Sequence, residues 1–177
     1  VDTIDINLYD NNIHFLTGEI EDFNIEQTIR WIISENLDKD NSEPLELWVN
    51  SIGGDLYQGF ALIDVMKSSR RPIKTVGVGS IQSCGFLIFV SGTKGLRTIH
   101  KNTGIMCHQY SGGSSGKHHD LKASMREGVL CDQRMLNILK DATGLSTAKV
   151  KSKLLTTTDV YLSAEELVAL NGADIIA

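Results

Sequence analysis

Pro44 and Pro72 each stand immediately before a β-rich run, LELWV at 45–49 and IKTVGV at 73–78. Proline lacks a backbone N–H, so it is tolerated at a strand entry and not inside a ladder, and both runs read as buried strands. Between them, after NSIGGD, the apolar residues Leu56, Phe60, Ile63 and Met66 recur every three or four positions, as one buried face of a helix does. Strand, glycine turn, helix and strand in that order form a βαβ crossover. Such a connection pairs its strands in parallel and with right-handed chirality, which places the chain in the α/β class.

The same alternation extends in both directions. IHFL at 13–16 reads as a short strand, and Asn24 three residues before Gln27 resembles a capping box opening a helix through Trp31 to Leu37. Beyond residue 92, short strands are expected near Leu96–Ile99 and Gly104–Cys107, followed by the stretch SGGSSGKHH, which suits a functional or interface loop. From about Asp120 to Asp141 the positions Leu121, Met125, Val129, Met135, Leu136 and Leu139 trace one helix face, and Thr143 with Gly144 supplies a stop. A helix of that length projects beyond a compact layer. Ser163 and Glu166 form another capping box, with Gly172 expected to close the helix they open. No internal repeat is found.

At 177 residues, 41% of them hydrophobic, the chain can bury a substantial core and is read as one globular domain. Seventeen basic against 22 acidic residues leave a net charge of −5, with no basic block beyond Arg70 and Arg71. That balance argues against a nucleic-acid groove or an anionic membrane surface as partner. Cys84, Cys107 and Cys131 are odd in number and sit in apolar settings, which favours a reducing, cytoplasmic compartment over a disulfide framework. Apolar runs are too short to span a bilayer, and no basic-then-apolar leader opens the sequence.

One greasy segment is interrupted in a way that asks for an explanation: VGVGSIQSCGFLIFVSG, residues 76–92. A buried hydroxyl without a partner costs about 1–3 kcal/mol, so Ser83 needs either a local hydrogen bond or a task. It lies between an expected strand and an expected buried helix, where it either caps the helix or stands as a nucleophile among converging N–H groups. A nucleophilic serine needs a base in reach. Of His14, His100, His108, His118 and His119, His108 ends the apolar run GIMCH just before the flexible loop, where a strand delivers a side chain to a cleft edge. It could equally be an ordinary strand-end histidine. His118 and His119 suit solvated roles, His100 a turn, and His14 a solvent-facing strand position. Periodicity cannot choose the acid that would orient an imidazole. The consecutive glycines of NSIGGD suit a tight turn or close backbone approach. Neither paired metal-ligand spacing nor a phosphate or dinucleotide fingerprint is found, so no metal or cofactor is expected.

Taken together, VNSIGGDLYQGFALIDVM, VGVGSIQSCGFLIFVSGTKGLR, GIMCHQYSGGSSGKHHD and DVYLSAEELVALNGADII resemble the proteolytic subunit family of the Clp proteases, ClpP, in order and with similar spacing from about Ile13 onward. The resemblance implies a crotonase-like spiral of βαβ units with a long handle helix, a head of about 1–107 and 145–177, and a handle region of about 108–144. It implies Ser83 as nucleophile, His108 as base and Asp159 as the acid that orients it, with the backbone N–H groups of Gly54 and Cys84 as oxyanion hole. It further implies stacked seven-membered rings, alone or mixed with paralogues, enclosing a chamber. Unfolded protein or short peptides would be the substrates, and an AAA+ unfoldase a possible partner.

This chain carries Ile52 where the family generally has proline, Cys84 where it has methionine, and Thr158 where a basic residue usually precedes the aspartate. Glu46 and Thr98 replace aromatic positions of the family's unfoldase-docking pocket, whereas Trp48 keeps one. Two other readings fit parts of the pattern: a non-catalytic ring subunit that co-assembles with a competent paralogue, and an acyl-CoA-handling crotonase relative. The latter has no use for Ser83, His108 and Asp159 as a set.

Overall fold

The computed structural model describes residues 3–177. Its elements are α1 (Thr3–Asp10), β1 (Ile13–Ile20), α2 (Asp22–Leu37), β2 (Leu45–Gly54), α3 (Leu56–Ser68), β3 (Ile73–Gln82), α4 (Cys84–Val90), β4 (Arg97–Ile99), β5 (Gly104–Cys107), α5 (His118–Thr143), α6 (Thr147–Lys153), β6 (Val160–Leu162), α7 (Ala164–Ala169) and β7 (Ile175–Ile176). Helices α2, α3 and α4 are successive crossovers between the parallel strands β1, β2, β3 and β4. The βαβ unit expected at 45–78 is therefore one of three in series.

The strands form one seven-stranded sheet, with β1-β2-β3-β4-β7 as its main path. Strand β3 changes neighbour along its length. Thr75 to Gly77 pair with β4, whereas Ser80 to Gln82 pair with β5. Through β5 the sheet reaches β6, the one antiparallel pairing among the described residues. This fork carries the chain from the layered head toward the site described below.

The core fills the space between sheet and helices. Leu45, Leu47 and Val49 alternate inward along β2, and all seven residues of α4 are buried. Burying a phenylalanine such as Phe86, which is fully enclosed, is worth about 3–5 kcal/mol against truncation to alanine. Two arginines also lie inside. Arg71 donates to the Glu43 carbonyl, the Glu35 carboxylate and Asn12 Oδ1, tying the α2–β2 connection to the entry of β3. Arg97 forks onto Asp174 at 2.7 and 2.8 Å and reaches the Ala142 carbonyl at the end of α5. Burial pushes the Asp174 carboxyl up, but the Arg97 hydrogen bonds and charge outweigh it and hold that carboxyl below the usual range.

Several boundaries differ from the sequence expectation. Helix α2 starts at Asp22, with Glu21 as N-cap, and Asn24 is the third residue of the helix whose side chain accepts from the Glu21 N–H. Strand β2 runs on through Ser51–Gly54 instead of turning at the glycines, with a register shift after Val49. The left-handed residue after α7 is Asn171, φ 56°, not Gly172. His14 does not face solvent: it is buried between Tyr9 and Trp31 and hydrogen-bonded to Thr28 Oγ1. Helix α5 begins at His118 and ends on a left-handed Gly144. Its C-terminal part is packed through Cys131, Met135, Leu136 and Leu139, whereas Leu121, Met125 and Val129 on the first turns are exposed. Among the described residues no helix is long and apolar enough to cross a membrane.

Candidate active site

Ser83 occupies the single-residue turn between β3 and α4. It stands at the N-cap position of α4, yet its side chain makes no capping hydrogen bond. Its backbone adopts φ 52° and ψ −121°, a conformation that costs a residue with a Cβ about 1–3 kcal/mol. The buried α4 that follows and the 2.9 Å bond from the Ser83 N–H to the Met106 carbonyl hold it there. Capping was the bland explanation for this serine, and the hydroxyl is engaged elsewhere: Ser83 Oγ lies 2.7 Å from His108 Nε2.

His108 follows the last residue of β5, the strand paired with the end of β3. The same ladder that ties Ser83 to Met106 thus delivers the imidazole. Gln109 Nε2 donates to the Leu155 carbonyl, at 3.0 Å, and the Tyr110 N–H to Asp132 Oδ1, at 3.2 Å, fixing the chain as it leaves the strand. When Nε2 accepts from a serine hydroxyl, the imidazole proton sits on Nδ1.

Asp159 sits on the exposed segment between α6 and β6. The antiparallel ladder Ile105–Leu162, Met106–Tyr161 and Cys107–Val160 ends there, and His108 and Asp159 are the next residues beyond its last pair. The fold therefore brings Asp159 to the end of the ladder from which His108 leaves, and no hydrogen bond joins the two among the described residues. The turn before Asp159 is closed by Thr156 Oγ1 donating to the Thr158 carbonyl.

Gly54 and Cys84 both line the cleft of about 270 Å³ that holds Ser83 and His108. Cys84 opens α4, where first-turn N–H groups have no partner within the helix. Its thiol is raised to about 12 by burial, then by the Asp55 charge. That thiol packs so tightly on α3 that a Cβ at Gly59 would sit 2.0 Å from Sγ. Sequence reasoning missed Gly53, at which a side chain would collide with Ser83. At φ 103°, a Cβ there would come 2.7 Å from Ser83 Cβ and 3.1 Å from the Cys84 nitrogen. The consecutive glycines signalled close approach but not which one makes it.

Tyr57 and Met135 also line the cleft; the sequence pattern marked Met135 only as part of an apolar helix face and Tyr57 not at all. The Tyr57 hydroxyl donates to Glu127 Oε1 at 2.5 Å, and Arg134 Nη1 bonds the same oxygen at 2.8 Å. Tyr57 is consequently held above its ordinary value and Glu127 below its own. This joins α3 to the base of α5 at the cleft wall. Among the described residues no group of three or more His, Cys, Asp or Glu side chains converges as metal ligands would.

A serine at a strained strand-to-helix turn, bonded to an imidazole and bordered by glycines, can carry out nucleophilic acyl transfer. A family model described as Clp protease matches residues 1–174.

Proposed function

The chain belongs to the Clp protease family, which supports a serine peptidase role, and we propose that it hydrolyses peptide bonds through Ser83, His108 and Asp159. The observation that carries this reading is the 2.7 Å contact between Ser83 Oγ and His108 Nε2 at a serine that caps nothing. Ser83 Oγ attacks the substrate carbonyl carbon while His108 Nε2 takes the hydroxyl proton. The N–H groups of Gly54 and Cys84 receive the oxyanion. His108 returns the proton to the leaving amine, the C–N bond breaks and an acyl-enzyme ester remains. Water, deprotonated by His108, then cleaves that ester and restores Ser83. Asp159 stabilises the imidazolium, which requires its carboxylate to close onto Nδ1 from just past the end of the ladder.

The proposal extends to assembly: stacked seven-membered rings, built of this chain alone or with paralogues, enclose the cleft and admit unfolded protein or short peptides. Feeding by an ATP-dependent AAA+ unfoldase, and a cytoplasmic or equivalent organellar or host-cell setting, belong to the same reading. Three free, buried cysteines fit a reducing compartment.

A second reading is favoured by one observation, the exposed Asp159 without a bond to His108: a non-catalytic ring subunit that co-assembles with a competent paralogue. A fluorophosphonate probe with peptide mapping separates the two. Labelling of Ser83 together with loss of fluorogenic-peptide cleavage is the expected result. An assembled sample that neither labels nor cleaves, but alters turnover when mixed with a competent paralogue, overturns it in favour of the second reading.

A further inference from the structure

We propose that Asp55 makes the cleft beside Ser83 charge-selective, favouring peptides with a basic side chain near the scissile bond over those with an acidic one. The inference rests on the peptidase reading and adds a specificity-determining residue to it. Asp55 follows Gly54, caps α3 and lines the same cleft as Ser83 and His108. Both amides it caps use one oxygen. The Tyr57 N–H donates to Oδ1 at 2.8 Å and the Gln58 N–H at 3.1 Å. Oδ2 has no hydrogen-bond or ion-pair partner among the described residues, and the side chain is exposed.

Apart from the titratable imidazole, Asp55 is the one ionic side chain among the residues lining this cleft. Nearby charges do not cancel it. Glu127 is paired with Arg134 at 2.8 Å, so that couple is close to neutral as a unit. Asp132, which accepts from the Tyr110 N–H, adds negative charge. The N-terminal dipole of α3 offsets about half a unit. A residual negative potential is left where a substrate side chain must lie, and Coulomb attraction at a partly solvated site translates it into a several-fold preference.

The test uses the assembled protein and three fluorogenic peptides that differ in one residue, Lys, Gln or Glu, moved in turn through the three positions before and two after the cleaved bond. At one or more positions kcat/KM is expected to follow Lys over Gln over Glu, with Lys exceeding Glu by about fivefold. Asp55→Asn keeps an oxygen for the two amides and should bring that ratio below about twofold. Raising ionic strength from about 0.05 to about 0.5 M should shrink it in the unsubstituted protein, a measurement that needs no variant to fold. A ratio near one at every position, or a preference indifferent to both salt and D55N, overturns the proposal while leaving the peptidase reading intact. Absence of cleavage of all three peptides overturns both.

Discussion

Ser83 and Asp159, the proposed nucleophile and acid, stand on opposite kinds of ground. Ser83 leads into seven consecutive buried residues, and its strained backbone is tethered to β5. Asp159 stands on an exposed turn whose internal bonds are local, Thr156 to Thr158, and only the β5–β6 ladder brings it near. The difference teaches where preorganisation comes from. A strained rotamer or backbone persists when burial over-determines it, whereas a carboxylate in water gives up little by leaving one partner for solvent. Ser83 and His108 are set by the core. The placement of Asp159 is left to the edge of the fold.

The largest expected effect tests the rigid side. Ser83→Ala should lower kcat by about 10⁵-fold or more with an unchanged circular dichroism spectrum, and adding His108→Ala should cost little further, because the two act as one unit. Additive losses in the double variant would separate them. Asp159→Asn tests the exposed side. If its carboxylate closes onto His108 during turnover, kcat should fall by about 10³- to 10⁴-fold. A loss under threefold would assign no orienting role to it. Gly53→Ala sharpens the contrast on the rigid side again. A methyl group 2.7 Å from Ser83 Cβ, at φ 103°, should displace the hydroxyl and cost about 100-fold in kcat/KM, whereas a neutral outcome would mean that the Ser83 turn yields.

The smallest effect falls on stability, remote from the cleft. Asp174→Asn leaves Arg97, whose side chain is 2% exposed, without its carboxylate. It should cost about 3 kcal/mol, or roughly 6–12 °C in Tm. The Asp174 carboxyl is depressed in the folded chain, so the folded state binds fewer protons than the unfolded chain as pH falls below the ordinary carboxylate range. Its stabilisation is present in full above about pH 4 and drains away as pH drops through the folded value. Acid unfolding followed by tryptophan fluorescence should therefore be less steep in the variant; an unchanged acid limb would detach this pair from acid stability.

The crossover between Pro44 and Pro72 was legible because strand and helix announce themselves through local spacing, and β2, α3 and β3 form where those patterns place them. The ends of elements were not. β2 runs through NSIGG because its ladder with β1 continues past the register shift, and Asn24 became the third residue of α2 because Glu21 took the capping position. His14 shows the same limit: alternation made it a solvent-facing candidate, but packing against Tyr9 and Trp31 enclosed it. Tyr57 carried no signal and Met135 only that of an apolar helix face, since their place at the cleft depends on how α3 and α5 meet.

By itself the sequence determined the parallel α/β alternation, the interrupted apolar segment at Ser83, and the family pattern that singles out His108 and Asp159. These are properties of neighbouring residues or of motif order, and they survive without coordinates. Tertiary structure decided that the Ser83 hydroxyl meets His108 instead of capping α4, that a side chain at Gly53 would collide with Ser83, and that Asp159 lies just past the end of the β5–β6 ladder with no hydrogen bond to His108. Those outcomes follow from contacts between segments 25 to 57 residues apart, whose distances are fixed by packing and strand register, and no local spacing encodes either.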